Sequence, residues 1–137
     1  MLFRSLADGK VQTQKVVANG SITLDTAASL VTVGLSIVAD LQTLPVTMQI
    51  DGYAQGRAKN ISRAWLRLYR SSGISIGPDT DNLVPFDPYE STPTLKTDEI
   101  PVLLTPSWTT SGQIYIRQTN PLPLSVVGLT LEVAVGG

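Results

Sequence analysis

The side chains with the greatest chemical reach fall into two adjoining runs of opposite sign. Five of the ten basic residues are Arg57, Lys59, Arg63, Arg67 and Arg70, with no acid between Asp51 and Asp79. Six of the eleven acids follow as Asp79, Asp81, Asp87, Glu90, Asp98 and Glu99, interrupted only by Lys96. On an extended strand, Arg63, Trp65, Arg67 and Tyr69 alternate onto one face. Such a face can stack on bases and contact phosphates. The commoner use of a basic strand is a solvated face, or one that meets the acidic run of its own or a neighbouring subunit. Between subunits, aligned opposite charge would set the register of contact.

The acidic run offers two further chemistries, and both are poorly supported. Asp79-Thr80-Asp81-Asn82, with Glu90 eleven residues after Asp79, echoes part of a calcium loop. Leu83 stands where that loop needs an oxygen ligand, and Val84 where it needs a Gly. A pair of loop carboxylates can hydrolyse a glycoside only at a fixed separation, which nothing in the sequence sets. With no His and no Cys, the chain lacks the usual general base, the commonest metal ligand and any thiol nucleophile. Ser71-Ser72-Gly73-Ile74-Ser75-Ile76-Gly77 lacks the Gly-Lys-Ser/Thr ending of a phosphate loop and reads as a turn. The residues point to no catalytic, metal or cofactor site. Trp65 and Trp108 read as packing or interface anchors.

The elements that would carry these residues are strands. The chain has 137 residues, is 42% hydrophobic and only 15% charged, and has a net charge of −1. Val, Ile and Thr make up 37 residues, and nine Pro and eleven Gly punctuate the chain. β-branched residues broken by turn formers predict an all-β fold. No apolar run approaches the ~20 residues of a spanning helix, so no membrane anchor is expected.

In residues 6–43 a short β-meander is expected. Its strands are Val11–Val17, Ser21–Asp25 and Leu30–Val33, with a hairpin turn at Asn19-Gly20. Leu35–Thr43 reads as a turn or one helical turn. Residues 44–137 are expected to form an antiparallel β-sandwich-like domain, and the two parts can pack as one unit. Its first strand candidate, Leu44–Ile50, is closed by Asp51-Gly52. Asn60–Arg70 fits both periods and is assigned to a strand from its surroundings. Ser71–Thr97 reads as a long irregular connection, which signals either function or a hidden short strand. Ile100–Thr105 carries Pro101 and reads as an edge. In Gln113–Gln118, Ile114 and Ile116 should point inward while Tyr115 and Arg117 point outward. Leu129, Leu131, Val133 and Val135 make the clearest period-two face.

Leu2-Phe3-Arg4-Ser5 reads like the translated end of a sequencing adapter. Residues 1–5 are therefore expected to be a non-native scar ahead of a C-terminal piece of a larger protein.

Three segments carry a resemblance. They are Asp51-Gly52-Tyr53-Ala54-Gln55-Gly56-Arg57-Ala58-Lys59-Asn60-Ile61-Ser62-Arg63-Ala64-Trp65-Leu66-Arg67-Leu68; then Pro106-Ser107-Trp108 with Ser111-Gly112-Gln113-Ile114-Tyr115-Ile116-Arg117-Gln118; then Asn120-Pro121-Leu122-Pro123-Leu124 leading to Leu131-Glu132-Val133 and Gly136-Gly137. Together they resemble the C-terminal region of tail tubular or nozzle-type proteins of tailed bacteriophages. The first half is similar to the small β segment preceding that region, through Leu6-Ala7-Asp8-Gly9, Asn19-Gly20-Ser21-Ile22-Thr23-Leu24, Val33-Gly34-Leu35 and Leu41-Gln42-Thr43-Leu44-Pro45.

The resemblance implies a structural virion protein rather than an enzyme. It implies assembly in the host cytoplasm into a homo-oligomeric ring around the DNA exit path, beside other tail proteins. Trp108 and Tyr115 are the expected docking residues. Arg57, Lys59, Arg63, Trp65, Arg67, Tyr69 and Arg117 complete the expected interface or DNA-facing set, with transient contact to phage DNA. The rival reading is a tail-associated carbohydrate-binding β-sandwich module gripping glycan through Trp65, Trp108 or the acidic loop.

Overall fold

The computed structural model describes residues 2–48, 56–86 and 95–136. It is all-β, with several antiparallel sheets and no helix among the described residues. The eleven described strands are β1 (Leu2–Ala7), β2 (Lys10–Val11), β3 (Lys15–Val16), β4 (Val31–Leu35), β5 (Ala39–Gln42), β6 (Lys59–Ser71), β7 (Ile74–Gly77), β8 (Val84–Phe86), β9 (Lys96–Leu103), β10 (Tyr115–Gln118) and β11 (Val126–Val135).

Two sheets face each other across the main core. One has the order β11-β6-β9 and the other β5-β10-β7-β8. Ala64, Leu66 and Leu68 of β6, Ile100 and Val102 of β9, Ile74 and Ile76 of β7, and Ile116 of β10 are buried in one cluster. Leu129, Leu131 and Val133 of β11 pack against it, as their alternation predicted. The ambiguity of Asn60–Arg70 resolves to strand because β6 has a partner on each side: Leu66 lies opposite Leu129 on one and Ile100 on the other. β9 is an edge, as Pro101 required.

The inward parity of β6 changes along its length. Lys59 and Ile61 are buried at odd positions, whereas Ala64, Leu66 and Leu68 are buried at even ones. The switch lies at a bulge, where Glu132 pairs with Arg63 but Val133 pairs with Ile61, leaving Ser62 as the extra residue. A second irregularity between Leu68 and Ser71 includes Arg70 at φ 43°.

The third sheet centres on β1. β2 and β3 pair with the two ends of one of its edges, and β4 pairs along Phe3–Ala7 on the other. Residues 2–5, expected to be foreign, therefore lie in a central strand, and Ser5 is buried. Val11–Val17 is not one strand but the two short pieces β2 and β3. Ser21–Asp25 is not a strand either. It contributes one bridge, Ala18 to Ser21, around the Asn19-Gly20 turn. Both turn residues have positive φ (52° and 77°), as a type I′ hairpin requires. Beyond that bridge, Asp25 is drawn into a side-chain cluster with Lys15 and Thr13 instead of a ladder.

Two expected loops contain strands. β5 lies in the stretch read as a turn or helical turn, and it leaves the small segment to pair with β10. β7 and β8 lie in the stretch read as an irregular connection. Gln113 lies just outside β10, whose ladder begins at Tyr115. Leu44–Met48 forms no strand, and its main contacts are single bonds such as Val46 N–H to the Ser111 carbonyl at 3.0 Å. Residues 49–50, the Asp51-Gly52 turn, and Asp87 and Glu90 lie outside the described residues.

Candidate functional site

The strongest candidate surface is the outer face of the β11-β6-β9 sheet. With Ala64, Leu66 and Leu68 turned inward, strand geometry turns Arg63, Trp65, Arg67 and Tyr69 outward. The Arg63 guanidinium carbon lies 5.7 Å from the centre of the Trp65 ring, within cation–π range. The flanking strands are not basic. Register places Glu132 of β11 opposite Arg63, and Glu99 of β9 opposite Arg67. Trp65 has Thr130 on one side and Pro101 on the other. Exposed Leu103 and Tyr69 extend the apolar part of this face. Beside the Leu68–Ser71 irregularity, Arg67, Leu68, Thr97, Asp98 and Glu99 line a shallow pocket of about 270 Å³. Charge on this face is therefore mixed, where a nucleic-acid groove would carry one sign.

Lys59 does not belong to this face. The bulge at Ser62 turns it inward, where it is 2% exposed. Its ammonium donates to the Thr110 carbonyl at 2.8 Å, with a longer contact to the Arg57 carbonyl at 3.4 Å. Arg57 donates from Nε to the Gly136 carbonyl at 2.8 Å and ties the end of β11 to the segment before β6. Trp108 borders the same glycine and is 56% exposed. The Ser107 N–H to Asn60 Oδ1 bond, at 2.8 Å, fixes the loop that presents it.

Tyr115 and Arg117 lie on β10, in the opposing sheet. Ile114 and Ile116 point into the core, so Tyr115 and Arg117 face away from it, on the far side of the sandwich from Trp65. Arg117 is engaged within the chain by Asp40, whose carboxylate holds the guanidinium above its ordinary value. The expected set is thus divided between two opposite faces, with Lys59 in the interior.

The acidic loop is built around its own backbone. Asp79 Oδ1 accepts from the Asp81 and Asn82 N–H groups at 2.9 Å each, and the Asn82 side-chain amide donates to both carboxylate oxygens. That amide is the largest influence holding the Asp79 carboxyl below its ordinary value. Among the described residues no group of three or more acidic side chains could hold a metal ion.

One surface escaped the sequence reading. From Leu30 to Leu44 the aliphatic side chains at positions 30, 31, 33, 35, 37, 38, 41 and 44 are all exposed. Its signal was available: residues 26–39 contain no charged side chain.

No protein-family model matches the chain, and a search of curated proteins finds no match either.

Proposed function

We propose that this chain is a structural part of a phage tail, of nozzle or tubular type. It assembles with copies of itself and with other tail proteins around the path of the exiting DNA. The observation that carries the reading is the outer sheet face, where Arg63 stacks on Trp65 beside exposed Tyr69 and Leu103. Arginine and aromatics over a partly apolar surface are the composition of protein–protein contact centres. Exposed Trp108 supplies a second anchor. The sequence likeness to tail proteins supplies the biological setting.

Contact with DNA is passing in this reading. The net charge is −1, and Glu99 and Glu132 stand beside the two arginines. A partner that must let DNA slide through gains from weak, screened attraction.

The test is location. Immunogold labelling of virions from the phage that carries this coding sequence should place the chain at the tail. Purified infectious virions that lack it by mass spectrometry would overturn the reading.

A further inference from the structure

β5 is the outermost strand of its sheet and leans on little else. The order β5-β10-β7-β8 gives it β10 as its one strand neighbour among the described residues. All four of its residues are exposed, and even its aliphatic Leu41 is 49% exposed. The main core closes without it. Among the described residues, the buried cluster and the side chains packed against it begin at Val46. Residues 39–43 are held instead by polar contacts along one edge. Asp40 pairs with Arg117 near one end. At the other, the Thr43 N–H donates to the Ile114 carbonyl at 2.9 Å, and Thr43 Oγ1 accepts from the Ile114 N–H at 2.9 Å. The Gln113 side-chain amide donates to the Thr43 carbonyl at 2.8 Å. Val46, three residues on, packs against the core, and its N–H reaches the Ser111 carbonyl.

Solvated hydrogen bonds with little apolar burial mark the segments that open at the lowest free energy. We infer that residues 39–43 are a releasable strap, which peels from β10 about Val46 while the sandwich stays folded. Both ends of the strap are tethered. Val46 anchors one end, and the β1 sheet at the other is joined to the sandwich by the Arg4 Nη1 bond to Asn120 Oδ1 at 3.1 Å. The strap therefore lifts without leaving the molecule. Asp40 is its latch, because it is the one charged side chain in residues 39–43. Release uncovers the β10 backbone edge that faced the strap and frees the Arg117 guanidinium. A closed sheet edge thereby becomes a strand acceptor with a cation on it. The inference is independent of the tail reading and holds for any function of the chain.

Native-state hydrogen exchange of the full chain, read by mass spectrometry, tests it. Amides of residues 39–43 should exchange through an opening that leaves β6 and β11 protected. Asp40→Asn should speed that exchange about two- to fivefold, the range of an exposed ion pair, and leave β6 unchanged. Gln42 and Tyr115 lie opposite each other and the chain has no cysteine, so paired Gln42→Cys and Tyr115→Cys place a single disulfide across the ladder. The oxidised pair should suppress the opening, and reduction should restore it. Exchange at residues 39–43 no faster than in β6 would overturn the inference. So would an Asp40→Asn variant that leaves the strap unchanged or speeds β6 equally, or an oxidised pair that exchanges like the reduced one.

Discussion

Arg117 and Asp40 face each other across β10 and β5 and share two hydrogen bonds, Nε to Oδ1 at 2.7 Å and Nη2 to Oδ2 at 2.9 Å. The paired, parallel geometry is the strongest form of this contact. It fastens a strand from the first third of the chain to the core sheet.

Asp40 should therefore titrate below an ordinary aspartate, chiefly because Arg117 donates to it. A carboxyl depressed in the folded state stabilises above its unfolded value, 3.8, and loses that contribution as pH falls through the lower folded value. Asp40→Asn should lower the neutral plateau of the melting temperature slightly and flatten its acid limb below pH 4, so that the variant and parent curves converge in acid. An acid limb as steep as the parent's would assign the acid sensitivity to other carboxyls.

Lys59 is predicted to be structural. Lys59→Ala removes a buried stem and leaves the Thr110 carbonyl without its donor, so stability should fall by about 2–4 kcal/mol in urea unfolding. Lys59→Met keeps the stem and loses the bond, and should cost about 1–2 kcal/mol. A neutral Lys59→Ala would mean that the side chain is solvated.

Gly77 has no room for a side chain. A Cβ there would lie 2.1 Å from the Asn82 carbonyl oxygen, within the turn organised by Asp79. Gly77→Ala should destabilise by about 1–3 kcal/mol through forced backbone movement. Gly34→Ala meets nothing within 4 Å and should be neutral or stabilise by about 0.5 kcal/mol. Thermal unfolding of the two variants side by side checks both.

Duplex DNA binding should be weak and should fall with salt. Arg63→Ala and Arg67→Ala should each lower the slope of log affinity against log salt by about one. Arg117→Ala should leave it unchanged, because that side chain faces away on the opposite sheet and is engaged by Asp40. Salt-insensitive binding, measured by fluorescence anisotropy, would remove the arginine face from any DNA contact.

Much of the sandwich was legible because burial on one side of a sheet imposes period two. β11 shows it through Leu129, Leu131 and Val133, and the stretch leading into β10 through Ile114 and Ile116. The Asn19-Gly20 turn was legible because few residue pairs accept two positive φ angles. Lys59 differs for a definite reason: charge alone grouped it with Arg63 and Arg67, and the one-residue bulge at Ser62 turns it to the opposite side of β6. β7 was hidden because Ile74 and Ile76 sit between glycines, a pattern shared by a tight loop and a short strand in a core. β5 carries no periodic signal because all four of its residues are exposed. The division of the expected interface set followed from topology, since nothing in the local sequence told which sheet β10 would join.

Opposite β4, the margin of the β1 sheet is interrupted. β2 covers Leu6 and Ala7, β3 covers Leu2 and Phe3, and between them Gln12 N–H reaches the Ser5 carbonyl at 2.9 Å before the chain leaves the ladder. A broken margin cannot template a further strand along its length. Among the described residues, β4 is thus the one margin of this sheet along which a further strand could be added without a break.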